Sequence, residues 1–206
     1  MDEQPKKNPY KITYDLAADA LRNRWQDPHA LCERSGAVRA SNDLELLYFN
    51  TICTISFPEV IFSSSSFSLY EQILILHYLG SEGTEHSRGA YVSFKNLPAA
   101  SFYNPTYRKR SIDRILSVFG DSPERLIPAG KALGGRQSNF GDVSVELEVF
   151  PRVRAIVVIH RGDEEFPPEA IMLFKDDIIN YLPLEDIAVT AGFITGRLIK
   201  ADKKGL

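Results

Sequence analysis

The sequence predicts an α+β fold: a single domain with a mostly antiparallel sheet, a hairpin plus a C-terminal three-strand meander, packed with several helices. Three observations carry this. Two runs rich in aromatic and β-branched residues, LELLYFN (44–50) and CTISFPEVIF (53–62), lie only a few residues apart, as the arms of a hairpin do. Three more strand-like runs follow one another over short connections between 143 and 174. Helical periodicity brackets both sets, at 12–25 and at 183–200.

At 206 residues the chain is long enough for one well-buried core. The predicted domain spans 12–200, between a mobile polar segment, 1–11, and a polar tail, 201–206. Tyr14, Ala17, Ala18, Leu21 and Trp25 recur at three- and four-residue steps and define the first helix. Asp27-Pro28 is a cap followed by a first-turn proline, and Gly36 closes that short second helix. Pro58 has no N–H for a ladder, so the run 53–62 is expected at a sheet edge or with a bulge. The serines 63–66 form a loop. Ser68 and Glu71 stand at capping-box spacing and open a helix to Leu79 that is apolar nearly all round. A short strand follows at 90–94. Helices are expected at 110–119 and 123–133, stopped by Gly120 and Gly134-Gly135.

The period then changes. In 143–149 (VSVELEV) apolar and polar residues alternate, which predicts a strand with one wet face. The run 153–159 is continuously apolar and therefore central, and 171–174 makes the third strand. The last helix aligns Ile187, Ala191, Ile194 and Leu198 on one stripe. Ala188, Gly192 and Gly196 lie beside it at spacings that permit close backbone approach.

Composition narrows the function classes. A net charge of −3 argues against a nucleic-acid partner. The longest apolar run, 73–76, falls far short of the roughly 20 residues that a bilayer span needs. The polar N-terminus lacks the apolar middle of a signal peptide, and Cys32 and Cys53 form no disulfide or cluster framework; a cytoplasmic location is expected.

Five segments, ILHYLG (75–80), AYVSFKNLP (90–98), LGGRQSNFGDVS (133–144), GDEEFPPEAIMLF (162–174) and YLPLEDIAV (181–189), occur in an order that resembles the domain-of-unknown-function family catalogued as number 3786. The similarity runs from about residue 12 to 200. It implies no particular activity. What it implies is a setting, since that family is found mainly in anaerobic bacteria and archaea. Some of its members carry a cysteine-rich iron–sulfur domain, which suggests a metalloprotein or iron–sulfur partner. Two isolated cysteines cannot hold such a cluster, so none is expected in this chain.

Several residues are candidates for chemistry. His77, with Tyr78 beside it, falls on the apolar side of its helix; burial would keep the imidazole neutral, able to ligate a metal or tetrapyrrole or to bond a backbone carbonyl. Gly134-Gly135-Arg136 offers backbone N–H groups beside a guanidinium, fit for an anionic group of a cofactor or simply for a helix stop. Arg108, Lys109, Arg110 and Arg114 are a second basic group. His160, Asp163 and Glu165 could hold a divalent metal at the end of a strand, or turn the chain in water between Gly162 and Phe166-Pro167-Pro168. Glu185 and Asp186 fit the first turn of a helix, where acids offset the dipole. No catalytic constellation is recognisable. The first function reading is a non-catalytic accessory protein that binds a ligand or metallocofactor in anaerobic metabolism. The alternatives are a divalent-metal-dependent enzyme using the acidic 163–165 loop and a protein-interaction module.

Overall fold

The computed structural model describes residues 8–83 and 89–205. They group into two compact units. The first comprises 8–46 and 52–83; the second comprises the hairpin tip 47–51 and residues 89–205.

In the first unit, α1 (Pro9–Arg24) begins at Pro9 rather than at Ile12, because the Asn8 side chain accepts from the Tyr10 N–H at 3.1 Å and proline suits the first turn. Residues 1–7 of the expected mobile segment lie outside the described residues. The short helix α2 (Pro28–Ser35) is closed by its predicted signals: Asp27 accepts from the Ala30 N–H at 3.0 Å, and Gly36 takes φ 71°.

A small sheet follows in the order β1 (Val38–Ala40), β2 (Asp43–Tyr48), β3 (Thr51–Ser56), β4 (Ile61–Phe62). The hairpin is β2–β3, with Phe49 and Asn50 both at positive φ in its tip. The run 53–62 is corrected here. It is not one strand with a bulge: β3 is interior, the chain turns at 57–60, and the last two residues of the run, β4, form the sheet edge. Pro58 lies within that turn, where no ladder donor is missed. The helix α3 (Leu69–Leu79) packs along α1. Its capping box is complete, with the Ser68 N–H on Glu71 Oε2 at 3.0 Å and the Glu71 N–H on Ser68 Oγ at 3.4 Å.

In the second unit the expected meander is the middle of a wider sheet, ordered β5 (Tyr91–Ser93), β9 (Glu169–Lys175), β8 (Val153–His160), β7 (Val143–Phe150), β6 (Arg136–Gln137), every pair antiparallel. The continuously apolar β8 is central, as its composition requires. One face, with Val145, Leu147, Val157, Met172 and Phe174, is buried beneath helices. The helix expected over 110–119 is two, α4 (Asn104–Arg110) and α5 (Ile112–Phe119). They break at Ser111, whose hydroxyl donates back to the Tyr107 carbonyl at 2.6 Å. A turn at Pro123–Arg125 leads into α6 (Leu126–Lys131), which lies on β7, while α5 lies on β9.

The closing helix α7 (Leu184–Lys204) packs against α4, α5 and α6 through the predicted stripe, since Ile187, Ala191, Ile194 and Leu198 are all fully buried. Its two glycines are not used for close approach. A Cβ at Gly192 would only touch the Cβ of Arg110 at 4.0 Å, and one at Gly196 would meet nothing within 4 Å. Among the described residues no helix is long and apolar enough to cross a membrane.

Candidate functional site

The other face of the five-stranded sheet carries most of the polar chemistry. Directly opposite residues in antiparallel strands share a face, so the registers place Arg136, Glu146, Ile156, Leu173 and Ser93 in one row across all five strands. Ser144, Val158 and Ile171 form a row on one side of it. Glu148 and Arg154, with Lys175 and Tyr91, stand on the other. Alternation along β7 predicts a wet face here, and this is corrected: Ser144 is 1% exposed and Glu146 only 9%.

Two edge elements cover those groups. The loop 138–142 folds back over the sheet, with the Phe140 N–H on Ser144 Oγ at 3.1 Å and Gly141 against Val158. Tyr91 comes from the opposite edge, and its ring meets that of Phe140 edge-on at 5.6 Å. Its hydroxyl donates to Glu146 Oε1 at 2.8 Å.

That last bond fixes the shape of the face. β5 and β7 are three strand positions apart, roughly 14 Å in a flat sheet with 4.8 Å spacing, and Tyr91 is also two residues out of register with the Glu146 row. Two side chains span such a gap only if the sheet curls toward them. The irregularity in β7 between Glu148 and Phe150 supplies a bend of the kind that β-bulges give. The face is concave.

Glu146 is its electrostatic centre. It accepts from Arg136 Nε at 2.6 Å as well as from Tyr91. Burial pushes its carboxyl up, but the bonds from Arg136 and Tyr91 and the nearby charges of Arg136 and Arg154 outweigh this and hold it below the ordinary carboxylate range. Burial and the bond to Glu146 push the Tyr91 phenol up to about 12, so it remains a donor. Arg154 is matched separately by Glu148 at 3.0 Å. Arg136 is 72% exposed and engages through Nε, which leaves its terminal nitrogens directed at solvent.

The sequence candidates are distributed between the units. His77 and Tyr78 belong to the first. His77 is half-buried between the buried Leu76 and Tyr78, and Tyr78 donates its hydroxyl to the Ser35 carbonyl at 2.6 Å, tying α3 to the end of α2. Arg136, His160, Asp163, Glu165, Glu185 and Asp186 belong to the second. His160 is exposed at the end of β8, with Nδ1 3.9 Å from Asp142 Oδ2. Glu185 and Asp186 open α7.

Asp163 folds its own loop. Its Oδ1 accepts from the N–H groups of Glu165 and Phe166, both at 2.8 Å, and its N–H donates to the Phe166 carbonyl at 2.9 Å. Those amides hold its carboxyl below the usual range. Gly162 is needed beside it, because a Cβ there would sit 2.8 Å from Pro168. Among the described residues no group of three or more His, Cys, Asp or Glu side chains is placed to hold a metal ion. Replacing Asp163 by Ala is expected to speed hydrogen exchange at the Glu165 and Phe166 amides while leaving the central strand β8 protected, as amide exchange followed by NMR will show.

Arg136 was legible as a candidate; the groups around it were not. Tyr91, Phe140, Glu146 and Lys175 carry no local motif, and their association depends on pairing between β5 and β9, which are far apart in sequence.

The fold and this face define an α+β protein with a concave sheet surface, polar at its centre and covered from two edges by aromatic residues. Residues 27–197 match the family model described as "Domain of unknown function (DUF3786)", and the chain belongs to that family. No curated protein and no solved structure matches the chain.

Proposed function

We propose that this protein is a non-catalytic binding protein for an organic ligand or metallocofactor, serving as an accessory in anaerobic metabolism. One observation carries the binding role: Arg136 is anchored through Nε by a nearly buried carboxylate while the rest of its side chain stays exposed. A guanidinium fixed in this way keeps its remaining donors pre-organised for a carboxylate or phosphate, so less entropy is lost when one binds. The structural triad explains why Glu146 is ionised and buried. It does not require the outer half of the guanidinium to point at solvent. The anaerobic setting is supported by the resemblance of the five segments quoted above, and half-buried His77 on α3 is the remaining candidate for an axial ligand to a tetrapyrrole.

The test is a visible absorption scan of protein purified without oxygen, followed by thermal denaturation with added corrinoid or haem. The expected result is a co-purifying chromophore or a rise in Tm. A ligand at a hundredfold excess over its Kd stabilises by about 2.7 kcal/mol, which is readily measured. An unchanged Tm with both tetrapyrroles, and no ligand released from the protein on denaturation, would overturn the proposal.

A further inference from the structure

We infer that the open edge of the five-stranded sheet, at β6, takes an extended acidic segment of a protein partner as a sixth strand, with a carboxylate of that segment on the outer nitrogens of Arg136. The assignment rests on the binding role given to Arg136 above and names the ligand of that guanidinium as a peptide.

Hydrogen-bond phase shows which backbone groups are open. β6 pairs only with β7, with Arg136 opposite Glu146 and Gln137 opposite Val145. The Ser138 N–H reaches the Ser144 carbonyl at 3.1 Å, so position 138 bonds toward β7. Bonded and non-bonded positions alternate along an antiparallel pair, which makes Arg136 bonded and Gln137 non-bonded. The N–H and C=O of Gln137 therefore point out of the sheet. Gly135 obeys the same phase, since its N–H turns away from β7 to the Gly130 carbonyl at 2.9 Å. Gln137 is exposed, and its two backbone groups stand at the sheet edge as a template for a further strand.

Register gives the chemistry of the partner. Every pair in this sheet is antiparallel, and a strand added in the same sense exchanges two bonds with Gln137 through one of its residues. The next residue of that strand stands directly opposite Arg136, on the polar face, in the type of pair where side chains come closest. Arg136 is already fixed through Nε by Glu146, and its terminal nitrogens face solvent. A carboxylate at that position meets them and extends the row by a second acid; a basic residue there would be repelled. The approach carries the same sign, because Lys131 is exposed at the end of α6 and the turn after it leads directly into β6. So short an edge gives few main-chain bonds, which makes the acid decisive for affinity.

The experiment is a backbone amide NMR titration of the full chain with the acetylated, amidated peptide Thr-Thr-Val-Glu-Val-Thr-Thr. Two variants of the peptide are compared, one with Gln in place of Glu and one with N-methylvaline just before Glu. The Glu peptide is expected to shift the Gln137 amide, to slow its hydrogen exchange, and to bind about tenfold more tightly than the Gln peptide. N-methylation removes the N–H that would reach the Gln137 carbonyl, and it should abolish binding with the protein untouched. Gln137→Pro should do the same from the other side, since an outward N–H at a sheet edge can be lost without disturbing the ladder. Arg136→Gln should erase the difference between the Glu and Gln peptides. It also leaves Glu146 unmatched, so the pair Arg136→Gln/Glu146→Gln is measured as well. Absence of Glu-peptide binding, undiminished binding of the N-methylated peptide, or equal affinity for the Glu and Gln peptides overturns the inference. So does protection of Gln137 that grows with protein concentration alone, which would put a second copy of this chain at the edge. In each of these cases a co-purifying chromophore leaves the general binding role standing, whereas peptide binding with no released ligand and no response to corrinoid or haem removes only the metallocofactor reading.

Discussion

Gly130→Ala is expected to destabilise the second unit by about 2–3 kcal/mol, although alanine is the better helix former by about 1 kcal/mol. A Cβ at Gly130 would lie 2.2 Å from Val145 Cγ2 and 3.0 Å from Val145 Cβ, so α6 must move off β7 or Val145 must leave its place. Val145 is fully buried in the middle of its strand and has nowhere to go. The mechanism predicts its own relief. Val145→Ala alone loses buried methyl groups and is destabilising, but in the double variant the two costs should fall short of their sum by more than 1 kcal/mol. Urea denaturation of the four proteins measures the coupling. Simple additivity would mean that α6 does not rest on Val145.

Arg136→Ala is expected to lower the urea midpoint at pH 7. Breaking a fully buried ion pair costs more, but here the arginine side is 72% exposed and screened by water. The cost falls on Glu146, whose nearly buried carboxylate keeps only Tyr91 as a donor among the described residues. The pH dependence follows from the direction of the shift. The Glu146 carboxyl in the folded protein is held below its ordinary value, so the unfolded chain binds the proton more readily. Its contribution to stability is therefore fully present above the ordinary glutamate range, near 4.3, and is lost as pH falls through the depressed folded value. Without Arg136, burial is no longer outweighed, and this contribution to acid sensitivity should shrink or reverse. Comparing urea midpoints at pH 7 and pH 4 for the wild type, Arg136→Ala and Glu146→Gln checks the sign. Glu146→Gln should show less acid dependence than the wild type.

Local signals made much of the fold legible. The cap at Asp27, the Ser68–Glu71 box and the stop at Gly36 are satisfied by contacts within a few residues, so sequence spacing is enough to place them. The continuous apolar run of β8 marks a central strand for the same reason: nothing but burial on both faces suits it. What failed was non-local. Alternation in β7 looked like a wet face because Ser144 and Glu146 are polar, yet Tyr91 and the loop 138–142 arrive from two sheet edges and bury them. Pro58 excluded a ladder partner correctly, but whether the chain then bulges, ends at an edge or turns depends on what β4 pairs with. The acidic stretch at 163–165 drew attention as a charge cluster. Its geometry shows that Asp163 closes a turn through its side chain, a role that requires Gly162 and that charge alone does not announce. Glycines mark Arg136 in the sequence; its distinguishing partner, Glu146, lies ten residues on in a strand whose pairing local spacing does not reveal.

The most direct measurement is a methyl NMR titration of the full chain with 2-naphthoate, which presents a carboxylate to Arg136, with the isoleucine and leucine methyl groups labelled. If the concave face is the binding surface, the shifts centre on Ile171, Leu173 and Ile156. Shifts centred instead on Ile73 and Leu74, around His77 in α3, would contradict the assignment and move the site to the first unit.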